Sequence, residues 1–153
     1  MIVVSDTSPL TALLTVGLEE ILPQLFQEVV IPQAVQNELL RSHTKLPEWL
    51  RIVAVEDAGQ ADKYLQVVDV GEAEAIELAR ELHADRLLID ERKGRKLAIK
   101  EGVPIIGLLG VVLLAKRKNL ISSARQIIQR LDQEAGMYLA SDITEAALKS
   151  VGE

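Results

Sequence analysis

The chain has 153 residues, 48% of them apolar and 26% charged, which suits one ordinary globular domain with its own core over residues 1–153. Cysteine is absent, so disulfides and thiolate metal sites are excluded and a reducing compartment fits. The formal net charge of −6 argues on its face against a phosphate backbone as partner, although a carboxylate metal site must itself be acidic; with 3% aromatics, a stacking platform for single-stranded bases is not expected.

The N-terminal MIVVSDTSPL lacks the basic region and cleavage site of a signal peptide, and a cytoplasmic protein is expected. Ile2-Val3-Val4 is a short β-branched run bounded by Ser5-Asp6, a buried first strand. Thr7 or Ser8 reads as the cap of a helix with Pro9 near its first position, an apolar face at Leu10, Leu13 and Leu14, and a stop at Gly17. A second helix is expected from Leu18 to about Leu25, bent at Pro23. Glu28 to Ile31, closed by Pro32, reads as the second strand. The helix after it, Gln33 to about Arg41, should carry Val35, Leu39 and Leu40 inward and contains Glu38.

Ser42 to Glu48 is polar loop, Arg51 to Val55 alternates weakly as an edge strand would, and Glu56 to Lys63 is a polar connection or short helix. The stretch VGEAEAIELARELHADRLLIDERKGRK, Val70 to Lys96, then dominates the chain. Glu72 and Glu74 stand where a helix starts, and Ala75, Ile76, Ala79 and Leu82 recur at helical spacing. The strand Leu87-Leu88-Ile89 ends on Asp90, followed by Glu91 and a basic helix from Arg92 to about Lys100 with Gly102 as its cap. Pro104-Ile105-Ile106 is the next strand, and the helix Gly107 to Lys118 buries Leu108, Val111, Val112 and Ala115. The apolar stretch Ile105 to Ala115 is too short to span a bilayer, and no membrane partner is expected. Ser122 or Ser123 caps a helix through about Glu134, and Asp142-Ile143-Thr144-Glu145 matches a capping box for a last helix to Val151. Strands alternate with helices throughout, which calls for a three-layer α/β/α sandwich around a central parallel sheet.

No phosphate loop, dinucleotide fingerprint or nucleophile elbow is present. The two histidines, His43 and His83, read as surface residues rather than a zinc cage. What remains is carboxylate: Asp6 at a strand end, Glu38 in a helix, Glu72 and Glu74 at a helix start, and Asp90 at another strand end. Strand C-termini and following helix N-termini share one edge of an open parallel sheet, where such folds place their sites. Each acid alone has a bland reading. Asp6 and Asp90-Glu91 could cap helices, Glu72 and Glu74 could complement a helix dipole, and Glu38 could be solvated. Their shared placement carries the functional reading. Clustered carboxylates repel unless a cation intervenes, and Mg2+ or Mn2+ prefers such hard oxygen ligands.

These motifs resemble the PIN-domain ribonucleases, within them the short stand-alone prokaryotic branch close to VapC-type toxins. The carrying segments are VVSDTSPL, IPQAVQNELL, VGEAEAIELARE, ADRLLIDERKGRKLA and GVPIIGLLGVVLLAKRKNLI, from Met1 to about Ile121. The resemblance implies a parallel sheet flanked by helices with three or four acids meeting at one end. Carried over by position, they are Asp6, Glu38, Glu72 and Asp90, with Glu74 a rival for the third place because Glu stands there where many relatives have Asp. Ser8, or Thr7, matches the hydroxyl that helps orient ligands.

The implied activity is Mg2+- or Mn2+-dependent cleavage of RNA. Asp6, Glu72 or Glu74, and Asp90 would hold the metal, Glu38 would position or deprotonate the attacking water, and Arg92, Lys93, Arg95 and Lys96 would meet RNA phosphates. Lys116-Arg117-Lys118 reads instead as a helix end matched to the dipole. The toxin branch implies a small antitoxin partner and a homodimer. The alternatives are a catalytically inactive binding or regulatory module on the same fold and, less favoured, a phosphatase using Asp6 as nucleophile. The latter would show a second Asp two residues on, where this chain has Ser8.

Overall fold

Alternation within short apolar strands sets the architecture. In the computed structural model, which describes residues 1–153, Val3, Val29, Ile31 and Leu88 pack into one core and Val4, Val30, Leu87 and Ile89 into another. All eight are buried, as parallel strands covered by helices on both faces require. The strands are β1 (Ile2–Ser5), β2 (Glu28–Ile31), β3 (Leu50–Ile52), β4 (Arg86–Leu88) and β5 (Ile105–Ile106). They pair in the order β3-β2-β1-β4-β5, all parallel. The chain builds from β1 through β2 to the edge strand β3, then crosses back to lay β4 on the other side of β1. The order reverses between β1 and β4, where Val4 lies opposite Leu87 and Ser5 opposite Leu88. Such a switch point is where open α/β sheets form a crevice.

The helices are α1 (Thr7–Val16), α2 (Ile21–Leu25), α3 (Gln33–Leu40), α4 (Ala58–Tyr64), α5 (Val70–Glu81), α6 (Arg92–Lys100), α7 (Leu108–Arg117), α8 (Ala124–Ala135) and α9 (Ser141–Ser150). Leu10 and Leu13 of α1, Leu22 of α2, Val35 and Leu39 of α3, Val111 and Val112 of α7, Leu131 of α8 and Leu148 of α9 share the first core. Tyr64 of α4, Ile76, Leu78 and Ala79 of α5, and Ala98 of α6 fill the second. The expected three-layer α/β/α sandwich is what forms.

Several expected details differ. Asp6, not Thr7 or Ser8, occupies the cap position of α1, so Pro9 sits in the third helical place. The second helix begins only at Ile21, too short for Pro23 to bend it. Leu40 at the end of α3 is exposed, and β3 is three residues long where five were expected. The box at Asp142–Glu145 does not form: α9 starts at Ser141, its cap is Ala140, and the Thr144 hydroxyl has no partner. Gly102 takes the left-handed conformation (φ +76°) one residue after the cap Glu101.

The crossing helix α5 is fastened by three acids. Asp69 accepts the Glu72 amide at 2.8 Å, capping the N-terminus. Glu77 is fully buried and accepts two bonds from Arg80, at 2.8 and 2.6 Å, and one from the Tyr64 hydroxyl on α4, at 3.2 Å. Glu81 accepts the amides of Glu56 and Asp57 just ahead of α4, at 2.8 and 3.0 Å. A buried carboxylate robbed of its donors costs about 1–3 kcal/mol. Arg80→Ala should therefore lower the urea midpoint clearly more than Tyr64→Phe, which leaves Glu77 its guanidinium; equal midpoints for the two variants would refute this role.

Candidate functional site

The switch point brings two acids onto neighbouring strand ends. Asp6 follows β1 directly, and its amide donates to the carbonyl of Leu88 at 2.9 Å. Asp90 lies two residues beyond Leu88 and one beyond Ile89, whose amide donates across to Ile106 at 3.0 Å. Only 4% of Asp6 is exposed, and its side chain makes no capping hydrogen bond to the α1 amides. Burial pushes its pKa up to about 7, opposed by the Thr7 amide and reinforced by the negative charges of Asp69, Glu38 and Asp90. Those three acids act on Asp6 from the start of α5, from α3 and from the end of β4, so four segments share one electrostatic site.

Glu72 completes the group from the first turn of α5. It is 8% exposed, and its pKa is raised to about 8 by burial first, then by Asp69, Asp6 and Glu91. Glu74 goes elsewhere. Residues two apart on a helix stand about 200° apart around the axis, so both glutamates cannot face the same group. The Glu74 carboxylate accepts the Ala34 amide at 3.0 Å, in the first turn of α3, and borders a cleft of about 150 Å3 beside Ala58, Asp62 and Val70. There it serves as a helix-to-helix tie.

Three glycines make room for these acids. A methyl on Gly71 would lie 2.5 Å from Glu38 Oε1, one on Gly94 would lie 2.6 Å from Ile89 Cδ1 and 3.0 Å from Glu72 Oε2, and one on Gly107 would lie 2.9 Å from Asp90 Oδ1 and 2.8 Å from Arg95 Nη1. Asp90 is the one acid with a nearby cation. Burial raises its pKa, while the Leu108 amide at the α7 N-terminus, 3.1 and 3.3 Å from its two oxygens, and Arg95 pull the other way. Arg95 itself is turned inward and donates to the Ile89 carbonyl at 2.9 Å. It therefore steadies the site rather than standing free for a substrate.

Arg92, Lys93 and Lys96 are exposed and form no ion pair. Ser8 is exposed as well, whereas the Thr7 hydroxyl beside Asp6 is buried without a partner. Glu91 caps α6 through the Lys93 amide at 2.8 Å. At the other basic run, Lys116 binds the Ser122 carbonyl and Glu153, as befits a helix end tied to its surroundings.

Asp6, Glu38 and Asp90 are thus coupled at the switch point, and Glu72 is coupled to Asp6. A family model described as a PIN domain matches residues 2–153. The chain belongs to the PIN-domain family. PIN domains are generally nucleases that act on nucleic acid and typically use divalent metals, which points this chain towards a nuclease-type function. No curated protein matches the chain. No helix in it is long and apolar enough to cross a membrane.

No three His, Asp or Glu side chains of this PIN domain stand close enough together to hold an ion as they are placed. The donor set nevertheless suits a hard cation. It consists of carboxylate oxygens, Asp6 and Glu72 are buried with no cation paired to them, and the Thr7 hydroxyl next to Asp6 is unsatisfied. Asp69 is the member that sequence reading passed over. It stands three residues before Glu72 in an Asp-x-x-Glu spacing, a capping signal that marks the true start of α5.

Two measurements test this site. Gly71→Ala replaces a helical glycine and should leave the melting temperature within a few degrees of the parent, because the better helix former offsets the crowding. Displacement of Glu38 should nevertheless cut nuclease activity at least tenfold; unchanged activity would count against Glu38. The second is pH. Asp6 and Glu72 bind protons more tightly folded than unfolded, so their contribution is full below about pH 4 and is lost as pH rises through about 7 and 8. Carboxyls held low, such as Glu134 by Arg130 and Glu145 by Arg125, act oppositely in acid. The melting temperature should peak near pH 5 and fall towards pH 9, and Asp6→Asn should flatten the fall. A stability that keeps rising to pH 9 would contradict the burial of these acids.

Proposed function

We propose that this PIN domain is a metal-dependent endoribonuclease that hydrolyses RNA phosphodiester bonds, close in kind to the VapC-type toxins its motifs resemble. The observation that carries the reading is the coupling of Asp6 with Asp69, Glu38 and Asp90 at the switch point, with Glu72 buried beside them. An apolar or paired arrangement would serve stability better, so the cost of clustering these charges is explained by chemistry.

Asp6, Glu72 and Asp90 would hold Mg2+ or Mn2+, with Asp69 supporting Glu72. When bound, such an ion supplies the positive charge that lets the carboxylates ionise together and that polarises a phosphodiester. Glu38, in the pocket left by Gly71, orients the attacking water and accepts its proton. Asp69 fixes the α5 N-terminus, and the Leu108 amide and Arg95 aim Asp90 and oppose the upward push of burial on its pKa. The Thr7 hydroxyl is the better candidate than Ser8 for orienting a ligand, since it is buried and unpartnered. Arg92 and Lys93, exposed at the start of α6 directly after Asp90-Glu91, would meet the phosphates flanking the cut.

The wider reading makes the protein a cytoplasmic toxin held in check by a small antitoxin protein and working as a homodimer. It rests on the motif resemblance alone. The competing reading, an inactive binding module on the same fold, draws on the net charge of −6 and on Glu72 standing where many relatives carry Asp.

Purified protein with a structured RNA and Mn2+ should cleave it, chelator should stop cleavage, and Asp6→Asn or Asp90→Asn should each reduce the rate at least a hundredfold. Millimolar Mn2+ should also raise the melting temperature more at pH 8 than at pH 5. No cleavage by the parent protein, together with no metal-dependent stabilisation, would favour the inactive module.

A further inference from the structure

Five of the chain's 17 Lys and Arg residues fall within the nine residues of α6. Only Gly94 and Ala98 of that helix are buried, and Arg95 is turned inward. Lys93, Lys96 and Lys100 are spaced three and four apart, which aligns them in one stripe. With Val67 and Leu97 they line a shallow cleft of about 240 Å3. All three lysines are exposed, and none pairs with a carboxylate. Val67, in the segment leading to Asp69, is about half exposed, so the cleft has an apolar edge beside its charges. From Lys93 to Lys100 the helix rises about 10 Å. A stacked strand carries a phosphate roughly every 3.4 Å, so the stripe can meet about three.

We propose that Lys93, Lys96 and Lys100 form a track for a single nucleic-acid strand leading away from the acids, with phosphates on the ammonium groups and sugar or base edges against Val67 and Leu97. The proposal rests on the nuclease reading and extends it: Lys96, Lys100 and the apolar edge hold substrate several nucleotides from the cut. The track lies on the rigid helix that starts two residues after Asp90, so a strand seated there is delivered to the carboxylates at a fixed distance. Ammonium groups act on phosphate as point charges without base preference, which makes this contact sequence-independent. In a chain of net charge −6, a concentrated basic stripe also orients an incoming polyanion with its strand towards α6.

Binding is measured apart from cleavage, using full-length Asp6→Asn protein in chelator with a fluorescent 12-nucleotide single-stranded RNA at several salt concentrations. Lys96→Gln/Lys100→Gln should weaken binding about tenfold at low salt and lower the slope of log K against log salt by about 1.4, which is 0.7 for each lost phosphate contact. Lys118→Gln, an exposed lysine outside the stripe, should change neither. Unchanged affinity and slope in the double variant, or no RNA binding by the parent, overturns the track. Stronger competition by polyglutamate than by polyuridylate of equal length also overturns it, since the surface would then dock acidic protein. If the double variant binds normally while the parent cleaves RNA, the track fails and the nuclease stands. If it loses RNA binding while the parent cleaves nothing, the track stands without the nuclease.

Discussion

Buried carboxyls with no cation beside them, at the β1–β4 switch point, are the constraint around which this molecule is built. Asp6 and Glu72 are almost wholly removed from water, and neither is paired with a cation. Both are held far above the ordinary carboxyl range, chiefly by burial and then by each other's neighbours. Ionising a buried carboxyl with no cation beside it is costly, so burial holds both groups towards the protonated form. The two cores that sandwich the sheet hold the strand ends and the α5 N-terminus in place, and with them these buried polar groups.

The surrounding structure is shaped to permit the cluster. Gly71 and Gly94 sit inside helices, where glycine is a poor residue, and each gives up helix propensity for space that a carboxylate fills. Gly107 does the same at the cap of α7. Further along α5, Glu77 and Glu81 tie the helix to α4 and to the chain before it, so its first turn is not free to swing away from β1. Space beside the acids and rigidity behind them are both needed. A looser helix would relax the repulsion by moving Glu72 into solvent.

Much of this was legible in the chain itself, because it depends on local chemistry. The β-branched runs at Ile2–Val4 and Glu28–Ile31, the apolar spacing of α5 and α7, and the left-handed stops at Gly17 and Gly102 reflect period, cap and turn preferences that act within a few residues. Elements short enough for neighbours to decide them were misplaced. The helix at Ile21 is five residues long, β3 is three, and the capping box before α9 loses to a start at Ser141. The site divided in the same way. Asp6 and Asp90 could be placed from strand ends alone, whereas the choice between Glu72 and Glu74 depends on how α5 rolls against α3, a contact between segments about forty residues apart. The inward turn of Arg95 was likewise invisible, since its partner is the backbone of the strand before it.

The acids of this site are treated in two different ways, and the difference is informative. Asp90 receives what a buried carboxylate needs for stability: two contacts from the Leu108 amide, the dipole of a ten-residue helix and a guanidinium nearby. Asp6 and Glu72 receive no comparable compensation, although Arg92 and Lys93 lie only a short way along the chain and remain exposed. A sequence optimised for stability alone would turn one of those cations inward, as it did Arg95. Leaving them outside keeps the Asp6 and Glu72 oxygens without a protein cation, free to ionise when a metal ion arrives, while the positive charge stays on the outer face of α6. That separation of sign is suited to gathering a hard cation at the acids and a polyanion along α6, which is the division of labour a phosphodiester hydrolase requires.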